Sequence, residues 1–104
     1  MNRKEQVVAF LKENPEDAFL NYALAQEHIS EGNDAAAEII FKNLLKKQPD
    51  YVATYYHLGK LQERKGEKEN AMDIYRLGID KAKEKKEQHA LSELQSALLE
   101  LEYE

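Results

Sequence analysis

The sequence predicts an all-α fold built from repeated helix hairpins, about six helices in all, and three observations predict it. First, five anchors recur at one period: Pro15, Leu24, Gly32, Ala37 and Phe41 become Pro49, Leu58, Gly66, Ala71 and Tyr75 when 34 is added to each number. A period of that length marks stacked two-helix units. Second, Gly and Pro are scarce, at four and two residues, and β-branched residues never alternate with polar ones over a strand's length. Third, the apolar stretches are separated by helix-ending signals, Asn14-Pro15-Glu16-Asp17, Gly32, Gln48-Pro49-Asp50 and Gly66.

Residues 2–13 read as a short amphipathic helix with Val7, Phe10 and Leu11 on one side. Asn14 is expected to cap the next helix through its side-chain oxygen, with Pro15 in the first helical position and Glu16 and Asp17 at the positive end of the dipole. That second helix runs to about Glu31, where Gly32 permits a left-handed C-terminal residue and Asn33 or Asp34 recaps at once. The third carries Ala37, Ile40, Phe41, Leu44 and Leu45 to about Lys47, and the fourth spans about 50–65 from a poorer cap. The fifth begins near Glu67 and carries Ala71, Ile74, Tyr75, Gly78 and Ile79. Lys83 stands where the period would place a third proline, and a break is expected within 84–89. The last helix sets Leu91, Leu94, Leu98 and Leu101 on one stripe with Ala90, Ala97 and Tyr103 beside it; its register is shifted, so it reads as a capping helix.

A chain of 104 residues is one domain's length, able to bury roughly 65% of the surface its unfolded form exposes. It has no cysteine, so disulfides and thiolate metal sites are excluded. Charged residues make up 34% with a formal net charge of −5, which argues against nucleic acid as a partner. The apolar run Val7 to Leu11 falls short of a secretory segment, and no stretch approaches the ~20 residues needed to cross a bilayer. A cytoplasmic protein with no membrane association is the expectation.

The run Tyr55-Tyr56-His57-Leu58-Gly59, with Ala71 and Tyr75 further on, resembles the tetratricopeptide repeat family. The resemblance covers residues 18–51 and 52–85 as two complete repeats, with 1–17 as a leading half unit and 86–104 as the capping helix. Ala25 or Gly59 is small where the helices of a hairpin touch, Ala37 and Ala71 where the second helix approaches, and Phe41 and Tyr75 are expected to fill the space between neighbouring hairpins. Asn21 departs from the family's aromatic, His28 and Gln62 from its Tyr, and Leu44 from its Ala.

The family implies a right-handed α-solenoid whose first helices line a concave groove for a peptide or partner protein segment, without catalysis or cofactor. By matching positions the groove is lined by Phe19, Tyr22, Ala23, Gln26, Ile29 and Ser30, then by Ala53, Tyr56, His57, Lys60, Glu63 and Arg64. Tyr22, Gln26 and His57 stand where a carboxylate clamp would need Lys, Asn and Asn, so that class of binding is not expected. Tyr22 and Tyr56 are candidate aromatic anchors. Lys60 and Arg64, one turn apart, either meet an acidic peptide or pair with Glu63 and Glu67 on the helix surface. Two aromatics beside two cations favour a segment with an apolar anchor and at least one carboxylate.

Other chemistry finds little support. The three histidines, His28, His57 and His89, fall on different helices with no i,i+4 pair or HExxH, so no metal site is expected. No nucleophile–base signature and no Gly-rich phosphate loop is present. Lys81, Lys83, Lys85 and Lys86 alternate with Glu84 and Glu87, as a solvated helix end would. The reading is a non-enzymatic scaffold or adaptor of bacterial type. Its alternative is a structural homo-oligomer associating through the terminal helices, because about three repeats are normally needed for stability.

Overall fold

The computed structural model describes residues 1–104 as six α-helices and no strand: α1 (Arg3–Glu13), α2 (Ala18–Ser30), α3 (Asp34–Lys47), α4 (Ala53–Arg64), α5 (Lys68–Lys85) and α6 (Gln88–Glu102). They form two compact units, Met1–Gln48 and Pro49–Glu104.

In the first unit, α1 begins where the Asn2 side chain accepts the Glu5 N–H at 2.8 Å. Asn14 does not cap α2. It ends α1, its N–H donating to the Phe10 carbonyl at 3.0 Å, and Asp17 caps α2 by accepting the Leu20 N–H at 2.9 Å. A residue before proline is driven out of the helical region, and Asn14 accordingly sits at φ −136°, ψ 65°; Pro15 and Glu16 then form a turn before α2 can start. The Asn21 amide ties this turn down, donating to the carbonyls of Pro15 at 3.0 Å and Asp17 at 2.9 Å.

Gly32, at φ +78°, closes α2 as expected. Its N–H reaches the Ile29 carbonyl and the Asn33 N–H reaches that of His28, a Schellman ending that favours glycine. Asn33 then caps α3 through the Ala36 N–H. Ala25, Ala37 and Phe41 are fully buried and Leu44 and Val7 nearly so. Phe10 is 59% exposed, unlike Leu44 at the same register. Within this unit α1 packs chiefly on α2, which covers the ridge of Val7 and leaves Phe10 outside it. Ion pairs Lys4–Glu31 at 3.0 Å and Arg3–Glu27 at 3.6 Å hold α1 on α2.

In the second unit α4 lacks a side-chain cap, Val52 occupying that position. Asp50, the nearby acid, is drawn instead to Lys81 at 3.1 Å and Lys85 at 3.8 Å. Two of the lysines read as a solvated end thus bind the 48–52 turn to α5. The Tyr55 hydroxyl donates to the Pro49 carbonyl at 2.6 Å; it stands 34 residues after Asn21, whose amide serves the matching proline. α4 ends in the same glycine motif, Gly66 lying at φ +80°. The break after α5 comes at Lys86, a left-handed residue at φ 58°, within the expected 84–89.

Tyr55, Leu58, Leu61, Ala71, Tyr75 and Ala82 form the core of the second unit, and α6 closes it. Leu94, Ala97 and Leu101 are buried, while Leu91 and Leu98 are half-buried at the edges of the stripe. Tyr103 is 83% exposed, not beside the stripe as expected, because it lies beyond the last helical turn as the C-terminal cap. Helix α6 packs against α4 as well as α5, and that double contact builds the site described next.

Candidate functional site

In each unit a tyrosine meets the residue four positions after it and an aromatic of the following helix. In the first, the Tyr22 ring lies 6.4 Å from that of Phe41 at 48°, and the Gln26 amide donates to the Tyr22 hydroxyl at 3.3 Å. In the second, the Tyr56 ring lies 6.5 Å from that of Tyr75 at 39°, and the Lys60 ammonium sits 5.5 Å over the Tyr56 ring. Spacing of i,i+4 on a helix puts each pair on one face, and the buried aromatic of the following helix backs the tyrosine. Phe19, one turn before Tyr22, is 58% exposed.

Small residues permit this packing. A Cβ on Gly59 would stand 2.7 Å from Cδ1 of Tyr75, and one on Gly78 would stand 2.5 Å from Cβ of Tyr55. The Tyr75 hydroxyl reaches through to donate to the Glu63 carboxylate. Burial first, and the acceptor carboxylate second, push that phenol well above its ordinary range. At the matching registers the first unit has Phe41 and Ile29, so the polar pair is absent there.

Helix α6 supplies what the sequence reading missed. Ser92, Glu93, Ser96, Ala97 and Glu100 face Tyr56 and Lys60 across a cleft of about 310 Å³. Glu93 and Glu100 are exposed on α6 and line this cleft. Their positions, with Ser96 and Ala97, repeat at helical spacing along one edge of the leucine stripe, and that pattern was the available signal. His57 meets Tyr56 edge-on at 5.3 Å. Burial holds its imidazole below the ordinary value, with Glu93 opposing and Arg64 reinforcing the shift. Lys60 pairs with Glu63 at 3.5 Å along the helix surface. Arg64 lies exposed in the last turn of α4. The structure therefore gathers Tyr56, His57 and Lys60 in one unit and Tyr22 with Gln26 in the other.

No group of three His, Cys, Asp or Glu side chains is placed to hold a metal ion. No helix is long and apolar enough to cross a membrane.

A crystal structure of a tetratricopeptide repeat domain protein from Salinibacter ruber is 50% identical to the chain, with a TM-score of 0.82, covering 84% of this chain and 97% of that one. The chain belongs to the tetratricopeptide repeat family. A solution structure of a tetratricopeptide repeat domain protein from the same organism is 51% identical at a TM-score of 0.82, covering 85% of this chain and 89% of that one. The family model described as tetratricopeptide repeat matches residues 53–77, which take in α4 and the first half of α5. A Bordetella parapertussis protein shares the fold at a TM-score of 0.83 and 22% identity, over 99% of this chain and 90% of that one. No curated protein matches the chain. Tetratricopeptide repeat folds generally mediate protein–protein interaction, and their domain proteins are typically non-enzymatic scaffolds.

Proposed function

We propose that the chain is an interaction module that holds a peptide or partner segment against the first helices of its hairpins. Phe19, Tyr22 and Gln26 act in the first unit, and Tyr56, His57, Lys60 and Arg64 in the second. The observation that carries this reading is the open cleft beside Tyr56, where a half-buried aromatic is backed by the buried ring of Tyr75. A rigid aromatic backed by core loses little entropy on binding and is a typical anchor of an interface. In this reading the first unit comprises the leading half unit and the repeat 18–51, and the second the repeat 52–85 and the capping helix. The Salinibacter ruber relatives support a bacterial adaptor, and a cytoplasmic location is part of the proposal.

Capture of partners from lysate, comparing the wild type with Tyr56→Ala, tests the reading. Truncation of an anchor should weaken binding by more than ~1 kcal/mol, with the melting temperature kept within a few degrees. Equal capture by both proteins, or a Tyr56→Ala chain that no longer folds, would remove the support for Tyr56 as an anchor.

A second reading, a homo-oligomer formed through the terminal helices, is favoured by the exposure of Phe10 on α1 and of Leu99 and Tyr103 at α6. Light scattering separates the two: the adaptor should run at the chain's own 12.1 kDa, and the oligomer at a multiple of it.

A further inference from the structure

The cleft beside α4 has a charge preference of its own, an inference that rests on the interaction reading above. Glu93 and Glu100 are seven residues apart on α6, two helical turns or about 10 Å, with Ser96 between them and Tyr56 opposite. Both acids also lie near groups of the neighbouring helices: Glu93 opposes the lowering of the His57 pKa by burial, and Glu100 adds a little to the raising of the Tyr75 phenol. The cation in the lining, Lys60, is already engaged, by Glu63 at 3.5 Å and by the Tyr56 ring. Two carboxylates thus face one ammonium in the lining, and Glu93 also lies 3.7 Å from the His89 imidazole.

We propose that this cleft takes a basic side chain of a partner peptide, its stem lying on Tyr56 and Ala97 and its charge between Glu93 and Glu100. Arginine fits better than lysine, since a guanidinium stacks flat on tyrosine and donates in parallel to a carboxylate. The Ser92 and Ser96 hydroxyls provide further acceptors for its remaining N–H groups. The occupant is the opposite of the carboxylate-bearing segment that Lys60 and Arg64 suggest when α4 is considered without α6. Charge complementarity of this kind should appear mainly in association rate and salt dependence.

Three fluorescein-labelled octapeptides of alternating sequence, (Leu-Arg)4, (Leu-Gln)4 and (Leu-Glu)4, test the proposal by anisotropy at low salt and by amide chemical shifts. The arginine peptide should bind about tenfold more tightly than the glutamine peptide, and the glutamate peptide more weakly than both. Glu93→Gln with Glu100→Gln should cancel most of that advantage, whereas Glu69→Gln, on the exposed start of α5, should leave it. The amides of Ser92 and Ser96 should shift with the arginine peptide. If the glutamine or glutamate peptide shifts those amides with equal or higher affinity, or if the double substitution leaves arginine-peptide affinity unchanged, the basic preference is overturned and the interaction reading stands. If no peptide of any charge perturbs the cleft, both are overturned.

Discussion

A methyl group at Gly59 has nowhere to go. Tyr75 lies against the α-carbon, is wholly buried, and is tethered at its far end to Glu63. Gly59→Ala should therefore overpack the hairpin and cost on the order of 1–3 kcal/mol, read as a lower urea midpoint, while Lys68→Leu on the exposed start of α5 should move it little. Equal midpoints would show that the α4–α5 contact is looser than described. The left-handed Lys86 gives a change of opposite sign. A side chain with a Cβ pays roughly 1 kcal/mol there, so Lys86→Gly should raise the midpoint; a lower one would mean that Lys86 contributes something glycine cannot. His57 sets a pH dependence. Its folded-state pKa lies below the ordinary 6.5, chiefly through burial, so the unfolded chain takes up a proton more readily. The stability linked to His57 is present above pH 6.5 and lost as the pH falls through the lower folded value. His57→Gln should flatten the fall in urea midpoint between about pH 7.5 and pH 5.5, and an unchanged slope would count against a buried imidazole.

At the scale of elements, α6 decides whether the second unit stands. Leu94 is almost completely buried and its Cδ1 lies within van der Waals reach of where a Gly78 side chain would begin. Leu94→Ala should cost about 2–5 kcal/mol, and truncation after Lys86 should bare the apolar faces of α4 and α5 and abolish cooperative unfolding or cause aggregation. A truncated chain with an unchanged melting temperature would make α6 an appendage. Most element boundaries were readable because they rest on local chemistry: Gly32 and Gly66 end helices by their positive φ, and Asn33 caps where a short polar side chain should. Asn14 was misread because two capping residues flank Pro15, and the choice between them depends on the turn that proline imposes. The exposure of Phe10 was not readable, since register predicts a face but not whether a neighbour covers it. The same gap explains Glu93 and Glu100. Their helix and its leucine stripe were predictable, but the contact of α6 with α4 is tertiary, and that contact alone turns two surface acids into the wall of a cleft.

At the scale of the whole chain, the period of 34 residues carries local geometry as well as apolar anchors. Tyr22 with Phe41 and Tyr56 with Tyr75 have nearly the same ring separations, and Asn21 and Tyr55 each donate to a proline carbonyl. Family membership follows from that regularity together with the Salinibacter ruber relatives. The two units differ in what surrounds each tyrosine. Gln26 caps the hydroxyl of Tyr22, whereas Lys60 overlies the ring of Tyr56. Ile29 replaces the carboxylate that holds Tyr75, and the acids of α6 serve the second unit. A net charge of −5 is consistent with basic segments as partners, and binding should weaken as salt screens the cleft, the Debye length falling from about 30 Å at 0.01 M to about 8 Å at 0.15 M. The most direct test of the central claim is an amide chemical-shift map of the isotope-labelled chain with a captured partner. Shifts clustered at Tyr22, Gln26, Tyr56, Lys60 and Ser96, on the first helices and the cleft, are the predicted result; shifts clustered at Glu38, Lys42 and Asp73, on the second helices, would contradict it.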